Sequence, residues 1–304
     1  MARIESIAKL LYYPTPPEVV ALIAQHLVSP AWTGKKHPRA ATRRMLDPCA
    51  GTGAALAELG HRHRGETYGI ELSEERARAA RSVLDHLLHG SAFSVRMTNG
   101  AFSLMLLNAP YDDDSERRRL EHHFLTTYTP RLAPGGVLVY IVPQRRLKVS
   151  AAYLSHHYEE LDLYRFPDPH YERFAQVVLF GRRRSLVQRD TPAELFLEQI
   201  ADQGPQALDP LAEQAETVYD LPVLPQAAIL FASQHFDAGQ AEAEAEKHGL
   251  LARGLLADRL WSPEEERPRP LLPLKRTHIA LLTASGLMDN VVLDNGSRRV
   301  LVKG

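Results

Sequence analysis

The chain has 304 residues, 44% of them hydrophobic and 24% charged, the balance of an ordinary globular protein with room for one large domain and a smaller one. Its 36 lysines and arginines against 37 aspartates and glutamates give a formal charge of -1. That excludes the global basic field of many small nucleic-acid binders, so nucleic-acid contacts must come from local patches. The single cysteine, Cys49, excludes an internal disulfide framework and a cysteine-rich zinc centre, and no metal is expected. There is no apolar run long enough to span a membrane and no secretory signal, which makes cytoplasmic residence the expected default. Nothing in the composition sets an oligomeric state.

In chain order, Tyr12-Tyr13-Pro14-Thr15-Pro16-Pro17-Glu18 comes first. Thr15 reads as a helix N-cap, Pro16 suits the first helical position, and Glu18 completes a capping box. Val19, Leu22, Ile23 and Leu27 then recur at helical spacing. A polar, basic loop over 31–44 leads into Arg44-Met45-Leu46-Asp47-Pro48-Cys49-Ala50-Gly51-Thr52-Gly53, which reads as a strand and a glycine turn opening a helix. Gly51 and Gly53 allow close backbone approach to a ligand. The lysine of a phosphate-binding loop and the third glycine of the dinucleotide fingerprint are both missing. Residues 67–72 form a short strand ending in Glu71, about 20 residues beyond the glycine turn, where an acid can accept ribose hydroxyls. Ser73 caps a helix running to about Leu84.

Residues 102–107 form a continuous apolar run, the pattern of a buried parallel strand. Asn108-Ala109-Pro110-Tyr111 ends it, so an amide, a carbonyl and an aromatic face emerge together at a strand's carboxyl edge, where open α/β sheets bind ligands. Asp112-Asp113-Asp114-Ser115 reads as a solvated helix entry rather than a metal site. A helix follows with Leu120, Phe124, Tyr128 and Leu132 on one face, then a glycine turn and a strand over 137–143. Gln144-Arg145-Arg146-Leu147-Lys148 leaves the same edge as Asn108, either as a phosphate contact or as a solvated loop. Residues 161–166 and 176–181 read as a closing hairpin, with 167–174 looping at the ligand edge, and Arg182-Arg183-Arg184 emerges at the opposite edge. The histidines at 61, 63, 122, 123, 156 and 157 lack metal-ligand partners and read as surface residues. From about Ser185 the character changes: prolines punctuate short helices, an alanine- and glutamate-rich stretch covers 240–247, and a helix over 275–285 precedes a hairpin at 291–302 turning on Asn295-Gly296. The expected division is a domain over 1–184 and a second over 185–304.

These motifs carry a resemblance. The segment from Asp47 to Gly53 is similar to the Asp-Pro-x-x-Gly-x-Gly motif of class I methyltransferases, which holds the methionine part of S-adenosylmethionine (SAM). Asn108-Ala109-Pro110-Tyr111 resembles the Asn-Pro-Pro-Tyr motif of amino-group methyltransferases, with Ala109 replacing the first proline. With the Tyr-Pro-Thr-Pro opening and the C-terminal extension, the order resembles the gamma-class (TaqI-like) N6-adenine DNA methyltransferases over residues 12–181.

The resemblance implies an α/β, Rossmann-like fold: a seven-stranded, mostly parallel sheet with a reversed last strand, followed by a smaller mixed domain that helps recognise DNA. It implies SAM as cofactor, held by Tyr13, Pro14, Thr15, Asp47, Pro48, Cys49, Ala50, Gly51, Gly53, Glu71, Leu72, Ser91, Ala92 and Asn108. Ser91 takes the slot of an aspartate that accepts from the cofactor's adenine, with Asn99 a second candidate. Either loses a charged acceptor and weakens recognition by roughly 1–2 kcal/mol. The Asn108 amide oxygen and the Ala109 carbonyl would accept the two hydrogens of adenine's exocyclic nitrogen, on a turn set by Pro110. Tyr111 would stack on the base after it rotates out of the helix, Phe174 would touch it, and Arg145, Arg146 and Lys148 would meet phosphates. An RNA adenine methyltransferase shares every motif. A protein-glutamine methyltransferase shares Asn-Pro-Pro-Tyr, but not the Tyr-Pro-Thr-Pro helix or the C-terminal extension. A cytosine C5 enzyme is disfavoured because Cys49 lies in the cofactor turn. Ser91 and Ala109 favour a SAM-binding module without activity.

Overall fold

Large apolar side chains alternate across each strand, and that alternation decides which layer each residue joins. The computed structural model describes residues 13–29, 41–111, 119–213, 217–225, 227–233, 277, 292–294 and 298–301. Its main sheet contains Arg44–Asp47 (β1), Glu66–Glu71 (β2), His86–His89 (β3), Phe102–Leu107 (β4), Leu132–Pro143 (β5), Tyr158–Arg165 (β6) and Gln176–Arg183 (β7). The spatial order is β3-β2-β1-β4-β5-β7-β6. Strands β1 to β5 run parallel, and β7 is antiparallel to both β5 and β6. The reversed strand is the last in sequence, as expected.

The helices are Pro17–Gln25 (α1), Ala54–His63 (α2), Glu74–Ala80 (α3), Leu120–Tyr128 (α4), Leu147–His157 (α5), His170–Phe174 (α6) and Thr191–Asp202 (α7). All six residues of β4 are buried, as a strand covered on both faces requires. Met105, Leu107, Leu138, Tyr140 and Leu179 pack with residues of α4, α5 and α7. Leu104, Leu106, Val137, Val139 and Phe180 pack with residues of α1, α2 and α3. Burying each such side chain contributes roughly 1.5–3 kcal/mol, so these two apolar layers fix the sheet's register.

Several local expectations change. Helix α1 is capped by Pro16 with no side-chain hydrogen bond, because the Thr15 hydroxyl is taken by Asn108 instead. Helix α3 stops at Ala80, after which Val83 and Leu84 turn in to meet the glycine loop at Gly53. His63 is buried rather than on the surface. The stretch after residue 184 does not peel away from the sheet. Leu197, Ile200 and Ala201 of α7 join the core layer of α4 and α5, while Leu27–Val28 pairs in parallel with Tyr219–Asp220. The chain divides into compact units after Phe236. In the second unit, Val292–Asp294 and Arg299–Leu301 pair antiparallel as the two arms of the hairpin read at 291–302. The stretches 112–115 and 240–247 lie outside the described residues, as does the 275–285 helix except for residue 277.

Candidate active site

The carboxyl ends of β1, β2 and β4 surround a cavity of about 290 Å³. Around it the fold gathers Tyr13, Pro14, Thr15, Asp47, Pro48, Cys49, Ala50, Glu71, Leu72, Ser91, Ala92, Asn108, Ala109, Pro110 and Tyr111, from five separate stretches of sequence. Gly51 and Gly53 shape the turn behind this wall. Both have positive φ, 57° and 81°, and a Cβ on Gly53 would lie 3.0 Å from side-chain carbons of Val83 and Leu84.

Glu71 sits at the end of β2, 5% exposed, and its carboxylate is densely partnered. Oε2 accepts from the Gly51 amide at 2.8 Å. Oε1 accepts from the Ser73 amide at 2.7 Å and from the Arg76 guanidinium at 2.8 Å. Arg76 also lines the cavity, so a sugar reaching Glu71 meets a carboxylate already held by an arginine. Asp47 is buried and accepts from the Cys49 amide at 2.8 Å. Burial, with a smaller contribution from the Glu71 charge, pushes its carboxyl up to about 7. Burial and the Asp47 and Glu71 charges likewise hold the Cys49 thiol well above its ordinary value, so it stays protonated.

The far end of the cavity is apolar. Leu72, Ala92, Phe93 and Phe124 line it, and Phe93 stacks on His123 with ring centroids 4.2 Å apart. A flat heteroaromatic ring suits those faces. The Ser91 hydroxyl accepts from the Phe93 amide at 3.3 Å and so caps the turn Ala92–Ser94. Asn99 is bound by Arg131 and is not part of the cavity wall. A carboxylate on the ribose side, a glycine turn beside the amino-acid end and an apolar slot for the base fit the parts of SAM. The volume is near the lower end for such pockets.

Asn108 leaves β4 with its amide pinned. Nδ2 donates to the Tyr13 carbonyl and to Thr15 Oγ1, both at 3.1 Å. A carbonyl can only accept, so the nitrogen must face Tyr13 and Oδ1 is presented as an acceptor. Tyr111 donates its hydroxyl to that Oδ1 at 2.5 Å, and Gln176 Nε2 donates to the Tyr111 hydroxyl at 2.6 Å. Burial pushes the Tyr111 phenol well above its ordinary value, so it keeps its proton. Its ring packs against the core layer of α4 and α5 and is only partly exposed, rather than standing free as a stacking platform.

The basic cluster separates. Lys148 pairs with Asp202 of α7 at 2.6 Å and does not line the cavity, because a carboxylate 54 residues away reaches it first. Arg145 is exposed and Arg146 half-buried, and neither lines the cavity. Phe174 ends α6, and its side chain is outside the described residues. Arg182 and Arg183 bond the carbonyls of Gly135 and Leu132 at the opposite edge of the sheet. The sequence reading missed, among others, Arg76 in the cavity wall and Gln176 behind Tyr111. Arg76 looked like one charge among many in α3. Gln176 had a signal: it is the lone amide opening the apolar run Val177-Val178-Leu179-Phe180 at the ligand edge.

Among the described residues no group of three or more histidines, cysteines or acids could hold a metal ion, and no helix is long and apolar enough to cross a membrane. The strand order, with one reversed strand inserted between β5 and β6, and the pocket at the carboxyl edge define a Rossmann-like methyltransferase fold. Over residues 1–224 the sequence matches the model of the "Uncharacterised methyltransferase family (DUF6094)", and the chain belongs to that family. No curated protein matches the chain in sequence. Similar solved structures include an RNA methyltransferase from Salinibacter ruber in complex with S-adenosyl-L-homocysteine. That chain is 14% identical over 59% of this chain and 98% of its own, at TM-score 0.35. A predicted O-methyltransferase from Agrobacterium tumefaciens is 18% identical over 66% and 98%, at TM-score 0.40. A SAM-dependent methyltransferase from Thiobacillus denitrificans, also in complex with S-adenosyl-L-homocysteine, is 14% identical over 59% and 96%, at TM-score 0.38.

Proposed function

We propose that the protein methylates the exocyclic N6 amine of adenine in nucleic acid, with DNA as the substrate. One observation carries the reading: the Asn108 amide, in the cavity wall, is oriented by an acceptor-only carbonyl, which leaves Oδ1 as its acceptor. Adenine's exocyclic nitrogen is a weak nucleophile because its lone pair is delocalised into the ring. Two acceptors in the base plane, Asn108 Oδ1 and the Ala109 carbonyl, would hold its two hydrogens and localise that lone pair. Bound SAM supplies an electrophilic methyl group on a sulfonium. Asn108 and Ala109 would orient the nitrogen for attack on that methyl: the new N–C bond would form as the methyl–sulfur bond breaks, the sulfur leaving as a neutral thioether and one amine proton passing to solvent. Glu71 and the glycine turn would hold the ribose and amino-acid parts, and Leu72, Ala92 and Phe93 the cofactor's adenine. Arg145 and Arg146 would contact phosphates beside the pocket.

The test is labelled-methyl transfer from SAM to duplex DNA, single-stranded DNA and RNA in parallel, each with and without adenine, followed by nucleoside identification. N6-methyladenine in DNA supports the reading. Label confined to RNA would move the substrate, and label on another base or on protein would overturn the proposal.

A further inference from the structure

We infer that Gln176 is a positioning residue for methyl transfer. It acts through Tyr111 to set the hydrogen-bonding direction of Asn108, and this rests on the N6-adenine reading. Each link in the chain of donors follows from the one before it. The Tyr13 carbonyl fixes Asn108 Nδ2, which leaves Oδ1 toward Tyr111. The phenol's proton then belongs to Oδ1, so the phenol oxygen becomes an acceptor. It needs a donor, and the Gln176 side-chain amide supplies one, Nε2 at 2.6 Å. Gln176 is 4% exposed, opens β7, and is held by backbone pairing, its own carbonyl accepting from the Phe166 amide at 3.0 Å.

A buried polar side chain at the head of the apolar run Val177-Val178-Leu179-Phe180 needs a compensating partner, and here that partner is Tyr111. A carbonyl oxygen has two lone pairs. With Tyr111 taking one, the relay leaves the other Oδ1 lone pair in a fixed direction for the substrate amine. The tyrosine therefore works through its hydroxyl as well as through any contact of its ring.

Glutamate at 176 makes the relay titratable. Ionised, it can only accept, so it draws the Tyr111 proton away from Asn108. Protonated, it can donate again, and burial raises its pKa into the accessible range. For Gln176→Glu acting on an adenine-containing DNA oligonucleotide, kcat should fall on the order of tenfold to hundredfold at pH 8. It should recover towards the wild-type value measured at the same pH as pH is lowered to about 5.5. KM for the oligonucleotide and calorimetric SAM affinity should stay within a few-fold.

Tyr111→Phe should produce a comparable loss, and adding Gln176→Leu to it should cost little more, since both break one chain. Wild-type kcat in Tyr111→Phe, or a Gln176→Glu loss that does not recover in acid, would overturn the inference. A separate readout covers the case in which wild-type protein does not methylate adenine at all. The side-chain amide resonances of Asn108, followed by nuclear magnetic resonance, should move in Gln176→Leu. Unmoved resonances would refute the relay whatever the substrate is.

Discussion

Removing everything after Arg184 should unfold the methyltransferase unit, whereas ending the chain at Phe236 should leave it intact. The shorter truncation strips Leu197, Ile200, Leu208, Leu211, Tyr219 and Leu221, all less than 9% exposed. At roughly 1.5–3 kcal/mol each, their burial contributes about 9–18 kcal/mol, an upper estimate that already matches the whole stability of an ordinary domain, about 5–15 kcal/mol. Polar losses add to this. Gln144, buried where β5 reaches the site, donates Nε2 to the carbonyls of Ile200 and Gln203 at 2.7 and 3.0 Å. Without α7 both hydrogen bonds are lost, a further cost of about 1–3 kcal/mol at roughly 0.5–1.5 kcal/mol each. Denaturant unfolding of residues 1–184, 1–236 and the full chain is the assay, with calorimetric SAM binding in parallel. The 1–236 chain should unfold cooperatively and bind SAM. A 1–184 chain that unfolds cooperatively at the same midpoint and binds SAM equally well would refute the packing argument and restore a boundary at 184.

Three further outcomes follow from the pocket. Asp47 carries a pKa of about 7 against an ordinary 3.8, so the stability it contributes is full below about 4 and is lost as pH rises through about 7. Asp47→Asn should flatten that fall, worth roughly 2–4 kcal/mol, in melts of the SAM-free protein between pH 5 and 8. Equal slopes in both proteins would contradict the assignment. Glu71→Ala should weaken SAM binding by roughly 1.5–3 kcal/mol in calorimetry, and an unchanged affinity would remove Glu71 from ribose recognition. Gly53→Ala should destabilise the unit by about 1–3 kcal/mol, because φ of 81° and the 3.0 Å approach of Val83 and Leu84 both oppose a Cβ. An unaltered melting temperature would show that the turn can relax.

The parts of this architecture governed by local pattern were legible in sequence. The run over 102–107, apolar at every position but Ser103, announced a strand buried on both faces, and Gly51 and Gly53 announced a tight turn that the positive φ values bear out. The antiparallel pairing of β6 and β7 also followed from the hairpin pattern. What sequence could not supply was the identity of distant partners. Thr15 was a sound N-cap by local rules, yet Asn108, 93 residues away, takes its hydroxyl. Lys148 looked free for phosphate until Asp202 arrived on α7. Helix α7 itself looked like the start of another domain because proline punctuation reads as a linker, while its apolar stripe of Leu197, Ile200 and Ala201 closes the core. Side-chain direction is the common gap: a strand pattern says which face Gln176 occupies, not that its amide reaches Tyr111.

The claim at the centre of this account is that Asn108 shapes the nitrogen that receives the methyl group. The direct measurement is nucleoside mass spectrometry of adenine-containing DNA after incubation with SAM and either the wild-type protein or Asn108→Ala, with SAM affinity measured on both. The account predicts N6-methyladenine from the wild type, and a loss on the order of 10²–10³-fold in the variant at a SAM affinity within a few-fold of wild type. Equal product from both proteins, or none from a wild type that binds SAM, would contradict it.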